Sequence, residues 1–316
     1  MDVLADALAA LRTGQPVAVH AEARAPWGLR FPATAGASFH VVLRGTCWLI
    51  PPARAAEPDE RPEAKPLALA QGDVILLRDG PAHGLADDPV SPLTDVPPLR
   101  RDACPALGRL CVEGPGPRAV LLCGTYALST ARPHPLLRAL PDVLHLPGRH
   151  GALHSLTELL GAELEERRPG RDAVVSALVD AMLPCVLRAW ATGRPGSAGW
   201  AAALSDPAVG RALEAIHSAP EHPWTVEDLG SCGGLSRSVF AQRFTALVGS
   251  APLSYLTWWR MTIAGRLLRE SDAPLGTVAH RVGYRSEFAF AKAFKREYGT
   301  APGRYRREHA GGAPHR

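Results

Sequence analysis

The hydrophobic positions along the 316-residue chain change period twice. From about Ala18 to Leu128, short apolar runs such as FHVVLRGTCWLI, LALAQGDVILL and PRAVLLCGTYAL are separated by breaks rich in Gly, Pro and Asp, among them ARAAEPDERPEAKP. Apolar runs bounded by turn formers predict β-strands in an antiparallel barrel or sandwich. From Leu153 to Ala191 the period becomes helical: Leu153, Leu156, Leu160 and Leu164 share one face, and a second run starts at Arg171. Pro184 is expected to kink or end that second helix, because proline has no N–H to donate and its ring crowds the preceding turn. GRPGSAG, residues 193–199, reads as a flexible break, and everything after Asp206 is helical in pattern. The expected organisation is therefore α+β and multidomain. It comprises a β-rich domain over 1–150, a helical linker or dimerisation region over 151–200, and an all-α domain over 206–309.

The C-terminal region repeats itself. In VEDLGSCGGLSRSVFAQRFTALVGSAPLSY, Leu229, Gly230 and Gly234 correspond to Val278, Ala279 and Gly283, 49 residues later in LGTVAHRVGYRSEFAFAKAFKREYGTAPGRY. Beyond that point the offset is 50, pairing Phe240 with Phe290, Phe244 with Phe294, Gly249 with Gly299 and Tyr255 with Tyr305, so the second turn holds one inserted residue. Each copy has the parts of a helix-turn-helix. A small residue (Gly230, Ala279) lets two helices cross closely, and a glycine (Gly234, Gly283) permits the tight turn. A serine (Ser236, Ser286) is placed to cap the second helix, and two phenylalanines four apart turn one face inward.

The stretch from about Trp224 to Arg307 resembles the DNA-binding domain of the AraC/XylS family of bacterial regulators, through WTVEDL, LSRSVFAQRFTALVG, PLSYLTWWRM, AGRLLRES, PLGTVAHRVGY and SEFAFAKAFKREYG. The resemblance implies a double helix-turn-helix of seven helices, with a long connecting helix from about Leu253 to Glu270. Two recognition helices would then enter successive major grooves of double-stranded DNA, about one turn or roughly 34 Å apart. By helical face and family position, Ser238, Ala241 and Gln242 of the first recognition helix are expected at base edges, with Arg237 and Arg243 nearer phosphates. In the second, Glu287, Phe288 and Lys292 are expected at bases and Lys295 at the backbone. Gln can pair with adenine, Glu can accept from a cytosine amino group, and an aromatic ring can pack on a thymine methyl. Gly230 and Gly233 stand where the family usually has alanine. At about 1 kcal/mol of lost helix propensity each, they predict a looser first unit.

Charge supports a polyanion partner. From Ser218 to Arg316 there are 14 basic and 8 acidic side chains, a net of +6, whereas the preceding residues carry 21 and 23. Neutralising phosphates releases counterions and supplies much of non-specific DNA affinity. The first residues lack the basic flank and apolar run of a secretory signal, and no stretch reaches the roughly 18–20 uninterrupted apolar residues of a membrane span, so a cytoplasmic protein without membrane association is expected. Six cysteines without a C-x-x-C pair fit reduced thiols.

The N-terminal segments PWGLRFPATAGASFHVVLRGTCWL, LALAQGDVILLRDGPAHGLADD, AVLLCGTYAL and HPLLRALPDVLHLPG resemble the cupin-type sensor domain that precedes some AraC-family DNA-binding domains. That resemblance implies a small antiparallel β-barrel with a central effector pocket, and it places His40 and His83 where cupins often hold metal. Val42 stands where a second histidine would be, so the full cupin ligand set is missing; a zinc or other divalent site would have to draw on His40, His83, Cys111 and Cys123. Cys104 and Cys111, in or beside a Pro/Gly-rich stretch, are the candidates for redox chemistry, while Cys47, Cys123, Cys185 and Cys232 read as packing residues. The expected function is a sequence-specific transcription regulator and homodimer that answers a small-molecule, metal or redox signal and contacts RNA polymerase if it activates. The alternative is a metal-dependent cupin enzyme, or a metal- or redox-responsive sensor with DNA binding as output. No nucleophile motif, phosphate loop or dinucleotide fingerprint is present, so no catalytic residue is assigned.

Overall fold

In the computed structural model, residues 2–51, 65–97, 107–128, 134–149, 151–166, 168–192 and 199–309 are described. The breaks expected at ARAAEPDERPEAKP and GRPGSAG fall mostly outside these residues, as does Cys104. Helix α1 (Val3–Leu11) is followed by strands β1 (Val17–Arg24), β2 (Gly28–Phe31), β3 (Ala37–Arg44), β4 (Cys47–Ile50), β5 (Leu67–Leu69), β6 (Val74–Leu77), β7 (His83–Ala86), β8 (Thr94–Asp95), β9 (Leu107–Val112) and β10 (Arg118–Tyr126). A short helix, α2 (Pro135–Ala139), separates β10 from β11 (Val143–Leu146), and two long helices follow, α3 (Gly151–Glu165) and α4 (Arg171–Thr192). The rest is helical: α5 (Trp200–Ser205), α6 (Pro207–Ser218), α7 (Val226–Cys232), α8 (Arg237–Val248), α9 (Pro252–Glu270), α10 (Leu275–Arg281), α11 (Glu287–Tyr298) and α12 (Pro302–His309).

The strands lie in two sheets, ordered β11-β6-β3-β10-β1-β9 and β5-β4-β7-β2-β8. Of the expected barrel or sandwich, the two facing sheets take the open form: among the described residues the edge strands β11 and β9, and β5 and β8, do not pair, and closure requires every edge to be paired. β9 also runs parallel to β1, and β8 parallel to β2. The inner faces of the two sheets form the core, with Trp27, Leu29, Leu49 and Leu85 from one and Ala21, Val42, Ile75 and Leu121 from the other. β3 and β10 are buried along nearly their whole length. Their outer face is covered as well: α3 packs on β3, and the Tyr126 hydroxyl donates to the Val179 carbonyl of α4 at 2.8 Å. Burial on both faces is why their sequences read as continuous apolar runs rather than as alternation.

Pro184 does not end α4, which continues to Thr192. A proline at 184 deprives the carbonyl four residues earlier, that of Asp180, of its helical donor. Arg12 supplies the replacement: its guanidinium donates to the Asp180 carbonyl at 2.9 Å and to the Asp180 carboxylate at 2.7 Å. Among the described residues, α4 alone is long and apolar enough to cross a membrane, with 22 residues of which an 18-residue stretch has a mean hydropathy of 1.6. Its buried residues, Val175, Val179, Met182, Leu183, Val186, Leu187 and Trp190, give it the packed stripe of a core helix.

The compact units are not consecutive stretches of chain, and the boundaries expected at 150, 200 and 206 do not coincide with them. One unit comprises Arg12–Thr130 and Leu140–Gly193, so α3 and α4 belong with the sheets. The other comprises Arg194–Arg316 together with Met1–Leu11 and Ala131–Ala139. Within it α1 packs on α6 and α9, burying Val3, Ala7, Leu8 and Ala10, and α2 packs on α5.

Candidate nucleic-acid interface and sensor pocket

The C-terminal helices from α6 to α12 number seven, and α9 spans the expected connecting segment. The local signals act largely as the residue types require. Gly234 and Gly283 adopt φ of 71° and 77°, the left-handed conformation of the two turns. Thr225 and Asp228 close a reciprocal capping box at the start of α7. Ser286 accepts the Ala289 N–H and caps α11, whereas Ser236, at the same place before α8, makes no side-chain cap. The expected looseness of the first unit meets a packing reason for its glycines. A Cβ on Gly230 would lie 2.9 Å from the Leu235 carbonyl oxygen, and one on Gly233 would lie 2.8 Å from the Ala208 Cα. Close approach of α6, α7 and α8 requires both positions bare.

Each repeat divides its second helix into an inner and an outer face. Phe240, Phe244 and Val248 of α8 are buried, as are Phe290, Ala293 and Phe294 of α11. On the outer side Arg237, Ser238, Gln242 and Arg243 are exposed and Ala241 is half-buried; in α11 Glu287, Phe288, Lys292 and Lys295 are exposed. Phe288 is 81% exposed, an unusual position for a phenylalanine in a helix whose other two are fully buried. Val239, also exposed on α8, was not singled out by pattern because valine reads as core. Arg243 is engaged: its Nε donates to the Asp206 carboxylate at 2.7 Å. Asp206 caps α6 through the Ala208 and Val209 N–H groups. Burial alone would raise the Asp206 carboxyl, but the Val209 N–H, Arg243 and the Ala208 N–H outweigh it and hold the group below the usual carboxylate range.

The two repeats are joined by more than the backbone of α9. Arg260, in the middle of that helix, donates to the Pro220 carbonyl at 2.6 Å and to the His222 carbonyl at 2.7 Å. The Tyr298 hydroxyl of α11 donates to the Met261 carbonyl at 3.2 Å, and Arg269 donates to the Tyr305 hydroxyl at 2.7 Å. Behind α9 runs a buried polar chain that no sequence pattern indicated. His134 Nδ1 accepts the Leu136 N–H, and its Nε2 lies 3.4 Å from the Tyr255 hydroxyl, which bonds His217 Nε2 at 2.8 Å. His217 Nδ1 lies 3.8 Å from the Asp6 carboxylate of α1. Burial pushes His217 down to about 3 and raises Asp6, so this contact joins a neutral imidazole to a weakened acid rather than a strong ion pair.

The β-sheet unit holds a second site. His40 and Cys123 are direct partners in the β3–β10 register, and Phe31 and His83 are partners between β2 and β7. The two histidines converge from opposite sheets until their Nε2 atoms are 2.6 Å apart. The pocket beside them is lined by Phe31, Pro32 and Pro97 on its apolar side and by the hydroxyl-bearing Thr34, Ser38 and Thr125. Burial lowers both histidines; the His83 charge lowers His40 further, and the bond to Pro81 partly restores His83. The proposed metal set is not assembled. Among the described residues no three His, Cys, Asp or Glu side chains cluster, and Cys111 is exposed on the edge strand β9. Cys123 is buried in the core, where burial, with a smaller contribution from Cys47, raises its thiol far above the usual range and disfavours the thiolate that zinc or an oxidant needs.

Comparison with known proteins supplies the family. The Cupin family matches residues 2–192, and a Helix-turn-helix domain family matches residues 231–308. A putative AraC-like transcription regulator of Streptomyces lividans is 37% identical over 311 residues, which is 97% of this chain and 98% of that protein. This chain belongs to the AraC-like transcription regulators. The HTH-type transcriptional regulator AlkR of Acinetobacter baylyi is 32% identical over 256 residues, covering 75% of this chain and 80% of AlkR. Among solved structures, the DNA-binding domain of AdpA in complex with a target DNA is 36% identical, covering 35% of this chain and 99% of that one with a TM-score of 0.33. This AraC-like regulator thus has a cupin-like N-terminal domain and a DNA-binding helix-turn-helix domain, its relatives are named as transcription regulators, and double-stranded DNA is the partner of its C-terminal repeats.

Proposed function

We propose that this AraC-like regulator binds specific operator sequences through the outer faces of α8 and α11, as a cytoplasmic homodimer without catalytic activity, and that a signal received in the cupin-like pocket at His40 and His83 alters that binding. The observation that carries the reading is the matched pair of outward faces, each backed by two buried phenylalanines and tied to α9. Ser238, Ala241 and Gln242, and Glu287, Phe288 and Lys292, are the proposed base readers; Arg237 and Lys295 are the proposed phosphate contacts. Arg243 reaches a phosphate only by leaving Asp206, so its principal role is to hold α6 against α8. Leu159 of α3 and Val174 of α4, apolar yet exposed, support a dimer contact on these helices. If the protein activates, RNA polymerase is the further partner.

Genome-wide footprinting of the full chain, followed by titration of the recovered sites, tests the reading. Salt-dependent and sequence-selective binding is expected. Failure to select any sequence, including the protein's own promoter region, at moderate salt refutes it. For the dimer, sedimentation of Leu159→Glu should show monomer where the native chain shows dimer.

A further inference from the structure

Helix α9 serves two cores at once. Tyr255, Leu256 and Trp259 of its first half are buried, and Tyr255 packs edge-on against Phe244 of α8. Met261, Ala264 and Leu268 of its second half belong instead to the core that holds Phe290 and Phe294 of α11. Long helices curve rather than stay straight, so a brace where the two halves meet decides how firmly the two recognition helices are held. Arg260 stands at that junction, between Trp259 and Met261.

The side chain of Arg260 grips both repeats. Its Nε donates to the Pro220 carbonyl at 2.6 Å and an Nη to the His222 carbonyl at 2.7 Å, both in the turn between α6 and α7. That turn is stiffened by its own contacts: the Trp224 indole N–H donates to the Ala219 carbonyl at 2.9 Å, and the His222 and Trp224 rings lie 4.4 Å apart. On its other side the guanidinium lies against the turn of the second repeat. A Cβ on Gly283 would come within 2.8 Å of an Arg260 nitrogen and 2.7 Å of the Glu221 carbonyl oxygen, so the turns of the two repeats touch where Arg260 joins them. Tyr284, the next residue, packs edge-on against Phe290 of α11 at 6.0 Å, which carries the contact to the second recognition helix. Burial lowers the Arg260 guanidinium from its usual value, while Tyr284 of the second repeat and Glu221 of the first oppose the shift, and the group stays charged. A charged donor strengthens both hydrogen bonds, and the planar fork serves two carbonyls at once as an ammonium does not.

Resting on the reading that α8 and α11 both contact DNA, we infer that Arg260 is a positioning residue for DNA recognition: it fixes the distance and rotation between the two recognition helices, so the regulator selects operators by the spacing between the two segments it reads as well as by their sequences. One inserted base pair moves the second segment by ~3.4 Å and turns it by ~35° about the duplex axis. A braced pair of helices cannot follow that displacement, whereas a hinged pair can.

The test uses the full chain and the site recovered by footprinting. One or two base pairs are inserted between the segments protected by α8 and α11, and a further duplex carries the first segment alone. The native protein should bind the native spacing roughly tenfold or more tightly than the single insertion, comparable to the cost of a mismatched base pair. Arg260→Ala should shrink that ratio severalfold while binding the first segment alone as the native protein does. A merely structural defect lowers every affinity alike and keeps the ratio, so an unchanged ratio in an Arg260→Ala protein that is folded by thermal unfolding overturns the proposal. Where Arg260→Ala does not fold, Arg260→Lys decides: it keeps the charge without the fork and should give an intermediate ratio, and a native ratio overturns the proposal. Protection of both segments by the native protein with no penalty for insertion also overturns it, and leaves the two-helix reading standing. Protection of one segment alone at every spacing overturns both.

Discussion

Phe288→Ala is the sharpest test of the DNA-reading face. The side chain is 81% exposed although it sits in a helix held by two buried phenylalanines, so its removal leaves the core of α11 intact. A phenylalanine offers ~200 Å² of surface; covering all that is free here at ~25 cal/mol/Å² sets a ceiling of ~4 kcal/mol. Contact with one thymine methyl covers about one face of the ring, which gives ~2 kcal/mol, or a loss of roughly 30-fold in affinity for the native site. Surface truncation should leave unfolding stability within ~0.5 kcal/mol of native. The assay is fluorescence anisotropy on a footprinted operator, on the same operator with each thymine replaced by uracil, and on unrelated DNA, from 50 to 200 mM salt. Phe288→Ala should weaken operator binding, match the effect of one particular uracil, and leave the slope of log K against log salt unchanged. Lys295→Ala should instead reduce that slope by ~0.9 and weaken all sequences alike. Equal loss on operator and unrelated DNA in Phe288→Ala, or no loss at all, would refute the assignment.

Three further outcomes follow from the packing. Arg12→Ala should cost ~1–3 kcal/mol, more than an exposed ion pair, because it strands the Asp180 carbonyl; in a Pro184→Ala background the cost should shrink, and an additive double-mutant cycle by urea unfolding would dismiss the coupling. Gly233→Ala should destabilise by ~1–3 kcal/mol, opposite to its gain of ~1 kcal/mol in helix propensity, since its Cβ would meet the Ala208 backbone; a raised Tm would show that α6 can yield. His217 is held down to about 3 by burial while its unfolded value is ~6.5, so the native state stays neutral where the unfolded chain takes up a proton. Stability should therefore fall as pH drops from ~6.5 towards 3, by up to ~1.4 kcal/mol per pH unit from this group, and His217→Gln should flatten the decline; identical pH slopes would count against it.

The double helix-turn-helix was legible because its determinants are local and duplicated: two phenylalanines four apart, a glycine at each turn, and an offset between copies of 49 and then 50 residues. The strands were legible for the same reason, although the sheets' failure to close depends on edge pairing that no single run encodes. The pocket was half legible. His40 and His83 came from likeness to a family, while Thr34, Ser38 and Thr125 are ordinary strand and turn residues until the sheets face one another. Pro184 misled because its remedy lies 172 residues upstream in sequence, in an arginine that resembles any surface cation. Tyr255 was legible only as the repeat match of Tyr305, and its partnership with His134 and His217 carried no signal, since it exists only when α6, α9 and the segment before α2 are assembled.

The division of the C-terminal unit into three stretches of chain bears on how it is made. Helix α1 leaves the ribosome well before the helices it packs against, α6 and α9, which end at Ser218 and Glu270. At ~5–20 residues per second, α1 spends on the order of 10–50 s without its partners, with Val3, Ala7 and Leu8 uncovered. The DNA reader is therefore finished only after α9 has been synthesised, and a message truncated before α9 leaves α1 with only part of the surface that covers it.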